Sequence, residues 1–400
     1  MGAMSQMERT QVLVVGGALT GLSSAVFLAH AGVRVTLVER HPGLLMHPRL
    51  RGITPRTVEV LRQVGLGPAI REQSFLGEDS VFVPLRAETL AGEYEPVEEG
   101  GEAFVDPRTY SSSTHAGIDQ DRLEILLRGR ARELGADLRY ATEVTSLEQD
   151  GEGVTATLRH RETGREHAIR AAYVIAADGA SSGIRAWLGI ESNGPGVLFE
   201  TVTAMADADL RAAVRGRRIG IAYLRKPRPF TSMMPHDGSG TRWLFSTGYD
   251  PRHESVADFT AERVAEMVRA ASGLDGVDVS LRPQIPGTEV TVLDFPIGAR
   301  VARSYRSGRV FLAGDAARVQ PPTGGFGGST GIQDAHNLAW KLGAVLSGSA
   351  GAGLLDTYEA ERLPYGRLAM EQAFARFGDR MAGGAKVELL DYAMVTMGYR

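Results

Sequence analysis

One unit near the start of the chain restricts the fold more than anything else: a glycine turn set between two apolar runs and a helix-like stretch. Val12 to Val15 is continuously apolar, the pattern of a strand buried on both faces. Gly16-Gly17-Ala18-Leu19-Thr20-Gly21 forms a turn, Leu22 to Ala31 reads as a helix stopped by Gly32, and Val33 to Glu39 reads as the next strand. This βαβ unit calls for an open parallel sheet covered by helices. Gly16 supplies the tight turn and Gly21 lets helix and strand approach. Ala18 replaces the middle glycine of the usual G-x-G-x-x-G fingerprint, adding one methyl where backbone would meet a pyrophosphate. The helix start near Thr20 offers free N–H groups and the positive end of a dipole to phosphates. Glu39 stands 18 residues after Gly21, where a carboxylate can grip adenosine ribose hydroxyls and disfavours a 2′-phosphate.

Two later segments narrow the reading. YVIAADGASSGIR runs from Tyr173 to Arg185 and carries Asp178, Gly179 and Arg185. VFLAGDAARVQPPTGGFGGSTGIQDAHNLAWKL runs from Val310 to Leu342. In the second, the strand Arg309 to Ala313 ends in Gly314-Asp315. A carboxylate at the C-terminal end of a strand points into the crevice of an open α/β sheet, where it can accept bonds from sugar or ribityl hydroxyls. Pro321-Pro322 stiffens the chain, and Gly324, Gly325, Gly327 and Gly328 strip side chains away so that a flat ring can lie on the backbone. A helix predicted from Thr330 to Leu346 would aim its N-terminal N–H groups at that ring and stabilise an anionic reduced flavin. The three segments together point to FAD.

Composition excludes several classes. There is no cysteine, which removes disulfides, thiolate catalysis, Cys-ligated metals and flavin–disulfide reductase chemistry. The nine histidines form no metal-binding spacing, so no metal site is expected. A net charge of −4 gives no reason to expect nucleic acid or an anionic membrane as partner. No apolar run reaches the length of a membrane span, and MGAMSQMERT has no apolar signal core, so a cytoplasmic location is expected.

Arg56 to Val64 and Asp121 to Leu134 read as helices, and segments within Leu138 to Ala172 as a meander. After Gly194 the pattern turns to alternating, aromatic-rich strands: Leu198 to Met205, Arg218 to Leu224, Phe230 to Pro235, Thr241 to Thr247 and Thr288 to Ile297, with a helix over Phe259 to Ala271. The expected fold is α/β: a Rossmann-like, glutathione-reductase-like FAD-binding domain with an inserted sheet-rich substrate domain. The first would comprise residues 1–80, 107–192 and 294–353, the second 81–106 and 193–293. Residues 354–400 would form a C-terminal helical segment whose charged helix, Leu354 to Phe377, packs on the outside.

With PRLRGITPRTVEVLR from Pro48, DQDRLEILL from Asp119, DGASSGIR, GDAARVQPPTGG and GIQDAHNLAWKL, the chain resembles the FAD-dependent aromatic hydroxylases. These are the group A flavoprotein monooxygenases related to para-hydroxybenzoate hydroxylase, and the bacterial aromatic polyketide hydroxylases are the nearest in pattern. The resemblance covers nearly the whole chain. It implies that Gly16, Gly17, Ala18, Thr20, Gly21, Glu39, Arg40 and Arg49 bind the adenosine and phosphate half of FAD, and that Gln120 reaches the flavin side. Asp178, Gly179 and Arg185 would touch both FAD and the reduced nicotinamide. Gly314 and Asp315 would hold the ribityl chain, and Pro322, Gly325, Gly327, Gly328 and Ser329 would line the isoalloxazine ring. Where many relatives have histidine after Gly-Asp-Ala-Ala, this chain has Arg318, and where many have Leu-Asn it has Gly328-Ser329. Larger members carry a C-terminal thioredoxin-like segment, and the chain stops at Arg400 before one.

The reaction implied is reduction of FAD by transient NADPH or NADH, then attack of a flavin C4a-hydroperoxide, formed with molecular oxygen, on an electron-rich ring. The protein excludes water and places the substrate. Pro322 and Arg318 are the candidates beside the reacting ring, Arg318 by position only, as a cation that lowers a phenol's pKa, with a structural salt bridge as the competing reading. Tyr223, Phe230, Met233, Trp243, Phe245 and Phe326 are the candidate walls for an aromatic substrate, with polycyclic polyketides implied by the resemblance alone. Baeyer–Villiger oxygenation on the same scaffold and a non-catalytic flavin-binding partner for a polyketide intermediate remain alternatives, and either a monomer or a homodimer fits.

Overall fold

The computed structural model describes residues 7–44, 50–76, 84–97, 107–217, 219–236, 239–285, 287–382 and 389–397. Arg49 lies outside these residues. The first sheet has eight strands. Its parallel centre runs 310–312, 166–176, 8–15, 35–38 and 137–139, so the two strands bearing the first two glycine motifs are direct neighbours. Every residue of Val35–Val38 is buried, as a strand covered on both faces requires. The helix Leu19–His30 and the longer helix Phe326–Leu346 pack on this sheet and on each other, and their side chains join its strands in one core.

The second sheet has nine strands. Its path runs 318–319, 292–302, 192–207, 242–249, 231–235, 221–224, 84–87 and 94–96, and 280–282 pairs beside 192–207. The strand Val292–Ala302 pairs along Ser192–Asp207 for most of its length. A boundary between residues 293 and 294 would therefore divide a continuous strand, and the sheet pairing corrects it to a point after Ala302. The two-residue strand Arg318–Val319 also pairs onto this sheet, although it follows the Gly314-Asp315 turn of the first. Among the described residues no helix is long and apolar enough to cross a membrane.

Two helix expectations need correction. The late helix spans Asp356–Ala382 and is not an external strut: Tyr358, Tyr365, Ala369, Ala373 and Arg376 are all buried. It reaches both sheets. Tyr358 donates to the Leu312 carbonyl at 2.7 Å, and Arg380 donates to the Tyr223 hydroxyl at 2.9 Å. The other helix begins at Phe326, not at Thr330. Glycines read as a loop are here the first helical turn, because the αL residue Gly325 (φ 67°) starts it and tertiary packing outweighs their poor helix propensity.

Candidate active site

The parallel strands bring the three sequence motifs to one edge. Val15 lies in register with Ala176, and Ala176 with Leu312, so Gly16, Asp178 and Gly314 emerge side by side at the carboxyl ends of adjacent strands. That edge is where open α/β sheets bind ligands. The approach is close. A Cβ on Gly16 (φ 109°) would lie 2.2 Å from the Ala177 carbonyl oxygen, and one on Gly21 would lie 1.8 Å from the Gly16 oxygen. Thr20 is spent on packing: its hydroxyl would lie 2.4 Å from a Cβ on either Gly314 or Gly331. Ala18 is exposed at the mouth of the turn, so its extra methyl is accommodated.

Glu39 both shapes the turn and faces the site. Its Oε2 accepts the Gly17 N–H at 2.6 Å, and its Oε1 accepts the His41 N–H at 2.8 Å and contacts His41 Nδ1 at 2.5 Å. Burial pushes this carboxyl up, but the bonds from His41 and Gly17 outweigh it and hold the group below the usual range. It is therefore an anion at neutral pH, and Oε2, which accepts one bond, retains a lone pair for a ribose hydroxyl. Arg40 beside it is exposed. Gln120 opens the helix Gln120–Glu133; its N–H donates to the Leu50 carbonyl at 3.0 Å, and its side-chain amide donates to Glu124 at 2.8 Å. The residues flanking Gln120 tie this helix start to the second sheet, since His236 Nε2 lies 3.7 Å from Asp119 and 3.8 Å from Asp121.

Asp178 accepts the Ile184 N–H on Oδ2 at 3.1 Å, while its Oδ1 is buried with no hydrogen-bond partner among the described residues. Arg185 donates to the carbonyls of Ala316 (2.9 Å) and Ala180 (3.4 Å), and Arg300 donates to the same Ala180 carbonyl at 2.8 Å. Burial, and then the charge of Arg300, hold the Arg185 guanidinium below its usual value. Two cations converge here on one carbonyl, and Arg300 Nε is buried without a hydrogen-bond partner among the described residues. Arg300 escaped the sequence reading because nothing in its strand marks it.

The third motif divides into an open part and a packed part. Asp315, Pro322 and Gly325 are exposed. A Cβ on Gly325 would meet nothing within 4 Å, and one on Gly327 only the Gln320 amide at 3.8 Å. Both polar atoms of that Gln320 amide are buried and have no hydrogen-bond partner among the described residues, a second signal the sequence did not give. Gly328 and Ser329 face the protein: a Cβ on Gly328 would lie 2.3 Å from Leu50, and the Ser329 hydroxyl accepts the Thr54 N–H at 3.1 Å. Their side-chain positions are thus taken, so any contact they make with a ring would come from their backbone N–H groups.

Arg318 is also corrected. It is 2 % exposed, and its guanidinium pairs with the fully buried Asp334 at 2.5 Å. Asp334 also accepts the Gly314 N–H at 3.1 Å and the Arg362 Nε–H at 2.7 Å. The ion pair lies behind the Gly314-Asp315 turn and holds it from inside, which is the salt-bridge alternative rather than a cation beside a substrate.

The candidate walls separate by strand parity. Met233, Trp243 and Phe245 share one face of the second sheet, since Met233 is opposite Phe245 and Trp243 is two residues away. That face packs on the helix Ala261–Ser272, and all three side chains are fully buried in its core. They are core residues, not walls. Tyr223, Ser232, Ser246 and Thr203 are in register on the opposite face. The late helix crosses this face: Arg380 bonds Tyr223, and Phe377 stacks on Phe199 and Phe230 with ring centroids 5.4 and 6.4 Å apart. The same helix reaches the flavin-type loop, where Thr323 donates to the Ala373 carbonyl at 2.5 Å. Phe326 is buried between Tyr392 and Arg376, beneath that loop. Tyr223 and Phe230 therefore lie on the face turned toward the loop.

These residues fit FAD. The open glycine cradle, the exposed carboxylate of Asp315, the anionic Glu39 and the orphaned Asp178 oxygen supply contacts for its ring, ribityl, ribose and central portions.

Comparison with known proteins agrees. A family profile described as an FAD binding domain matches residues 9–373. The tetracenomycin A2 monooxygenase-dioxygenase of Streptomyces glaucescens is 41% identical over 98% of this chain and 72% of its own length. A putative polyketide hydroxylase of Streptomyces coelicolor is 44% identical over 92% of this chain and 58% of its own. The crystal structure of aklavinone-11 hydroxylase in a ternary complex with FAD and aklavinone superposes with a TM-score of 0.89 at 38% identity, covering 99% of this chain and 74% of that one.

Proposed function

Because this chain belongs to the FAD-dependent aromatic hydroxylases, we propose that it inserts one oxygen atom of dioxygen into a polycyclic phenolic polyketide at the expense of NADPH or NADH. It is an FAD-dependent monooxygenase. The observation that supports the substrate class is the late helix bridging the loop, through Thr323, and the sheet face of Tyr223, Ser232 and Ser246, through Tyr223. That face carries aromatic and small polar side chains, which suit a flat ring system edged with oxygens. The relatives named for tetracenomycin and aklavinone act on polyketides of that kind.

Bound in the cradle, FAD supplies the acceptance of hydride and the activation of dioxygen. The chain's own contributions are positional. Glu39 and the Gly16–Gly21 turn hold the adenosine end, and Asp315 orients the ribityl chain. The first N–H groups of the helix Phe326–Leu346 aim a positive dipole end at whatever lies on Gly325 and Gly327. The late helix and the second sheet exclude water from the ring system between them.

Arg185 and Arg300 are the residues assigned to the phosphates of the nicotinamide dinucleotide. Burial and the charge of Arg300 outweigh the attraction of Asp178 at Arg185, and two adjacent cations sharing one carbonyl favour an anion there. Arg300→Met is expected to raise the KM for NADPH about tenfold with kcat within about twofold, since a charge-assisted bond is worth about 1.5–3 kcal/mol. Steady-state kinetics with NADPH varied reads this, and an unchanged KM would remove Arg300 from the assignment.

The reading as a whole is tested by anaerobic reduction of the purified holoenzyme by NADPH, with and without anthracyclinone- and angucyclinone-type phenols. Reduction that accelerates with one of them supports it. Bound FAD that no nicotinamide reduces under any ligand would favour a non-catalytic partner. We place the enzyme in the cytoplasm, where NADPH is supplied.

A further inference from the structure

His115 has no assigned task, and a short chain of contacts links it to the loop of the candidate site. The residue after it, Ala116, exchanges backbone hydrogen bonds with Ile53 at 2.9 and 3.1 Å, which fixes the chain there. The His115 ring lies 5.9 Å from the ring of Tyr392, tilted by 33°. Tyr392 in turn donates its hydroxyl to the Gly324 carbonyl at 3.1 Å and packs on Phe326. One short chain of contacts therefore connects His115 to the loop that carries the open glycine cradle.

His115 Nε2 is buried, and no donor or acceptor among the described residues reaches it. A buried polar atom without a partner is unfavourable, and natural proteins rarely retain one without a bound group to satisfy it. Burial also pushes the imidazole down to about 4, so at neutral pH the ring is uncharged and one of its nitrogens is an acceptor.

We propose that His115 is a substrate-contacting residue whose Nε2 accepts the hydrogen of a phenolic hydroxyl on the polycyclic substrate. No bond is made or broken at the histidine. The proton stays on the phenol, because the desolvated ring is the weaker base, and the hydrogen bond pulls electron density onto the phenol oxygen and orients the ring. The assignment rests on the aromatic-substrate reading of the same site.

The test uses the FAD-loaded enzyme and two probes of equal shape, 2-hydroxyanthraquinone and anthraquinone, with binding followed by calorimetry. The wild type is expected to bind the hydroxylated probe at least tenfold more tightly. His115→Phe, which keeps a flat ring against Tyr392 and removes the acceptor, is expected to abolish that preference, leaving anthraquinone affinity and FAD content unchanged. Its melting temperature should match or exceed that of the wild type, since an orphaned polar atom is lost. His115→Gln, which restores an acceptor, should recover part of the preference. A tenfold preference that survives in His115→Phe overturns the assignment, as does an equal loss of both probes, which would mark a packing role. Binding of both probes equally by the wild type overturns the His115 contact alone. Binding of neither overturns the aromatic-substrate reading and the contact with it.

Discussion

Asp334→Ala is expected to destabilise the protein by about 3–5 kcal/mol, because it removes the one carboxylate that compensates two buried guanidiniums. Asp334 is fully buried and bonds Arg318, Arg362 and the Gly314 N–H. Without it, Arg318 keeps its charge in a site closed to bulk solvent. The loss is large relative to the total stability of a folded domain, about 5–15 kcal/mol. Replacing the whole cluster with apolar side chains, as in Asp334→Leu with Arg318→Met and Arg362→Met, should cost far less, since removing all the charges together leaves none unpaired. Urea unfolding of the two variants distinguishes these outcomes. A loss below about 1 kcal/mol for Asp334→Ala would mean the charges find other partners and would contradict the cluster's role behind the Gly314 turn.

The second large effect belongs to Gly21. A methyl there would lie 1.8 Å from the Gly16 oxygen and 2.9 Å from its carbonyl carbon, both backbone atoms that cannot rotate away. Relieving the overlap requires the helix Leu19–His30 to move off the strand that it covers, which displaces the turn built for pyrophosphate. Gly21→Ala should therefore purify with little or no FAD, read as flavin absorbance per mole of protein, and with a lowered melting temperature. Gly129 is the matched control. It lies inside the helix Gln120–Glu133 with nothing within 4 Å of an added Cβ, so Gly129→Ala should retain FAD and gain about 0.5–1 kcal/mol. Normal FAD loading in Gly21→Ala would contradict the close helix–strand approach.

The parallel core was legible from the sequence because its signals are local. Val12 to Val15 is apolar without alternation, and Gly16, Gly21 and Gly32 punctuate the unit that it opens. The meeting of the three motifs followed from sheet rules that place strand C-termini together. What escaped depends on contacts distant in sequence. Alternation identifies the strand Arg242–Tyr249 but not which of its faces meets the helix Ala261–Ser272, so Trp243 and Phe245 were misplaced by parity alone. The Phe326 helix start was hidden because glycine turns and glycine helices look alike in sequence. Arg318 reads as a site cation until Asp334, 16 residues on, is found beside it. Arg300, Gln320 and His115 carry no motif; only their unpartnered buried atoms single them out.

Turnover of the purified enzyme with NADPH, a polycyclic phenol and isotopically labelled dioxygen tests the central claim most directly. The account predicts a product that carries a single labelled oxygen on a ring carbon, with NADPH oxidised in proportion. NADPH oxidation that yields only hydrogen peroxide across the phenol panel, or oxygen in the product that derives from water, would contradict it.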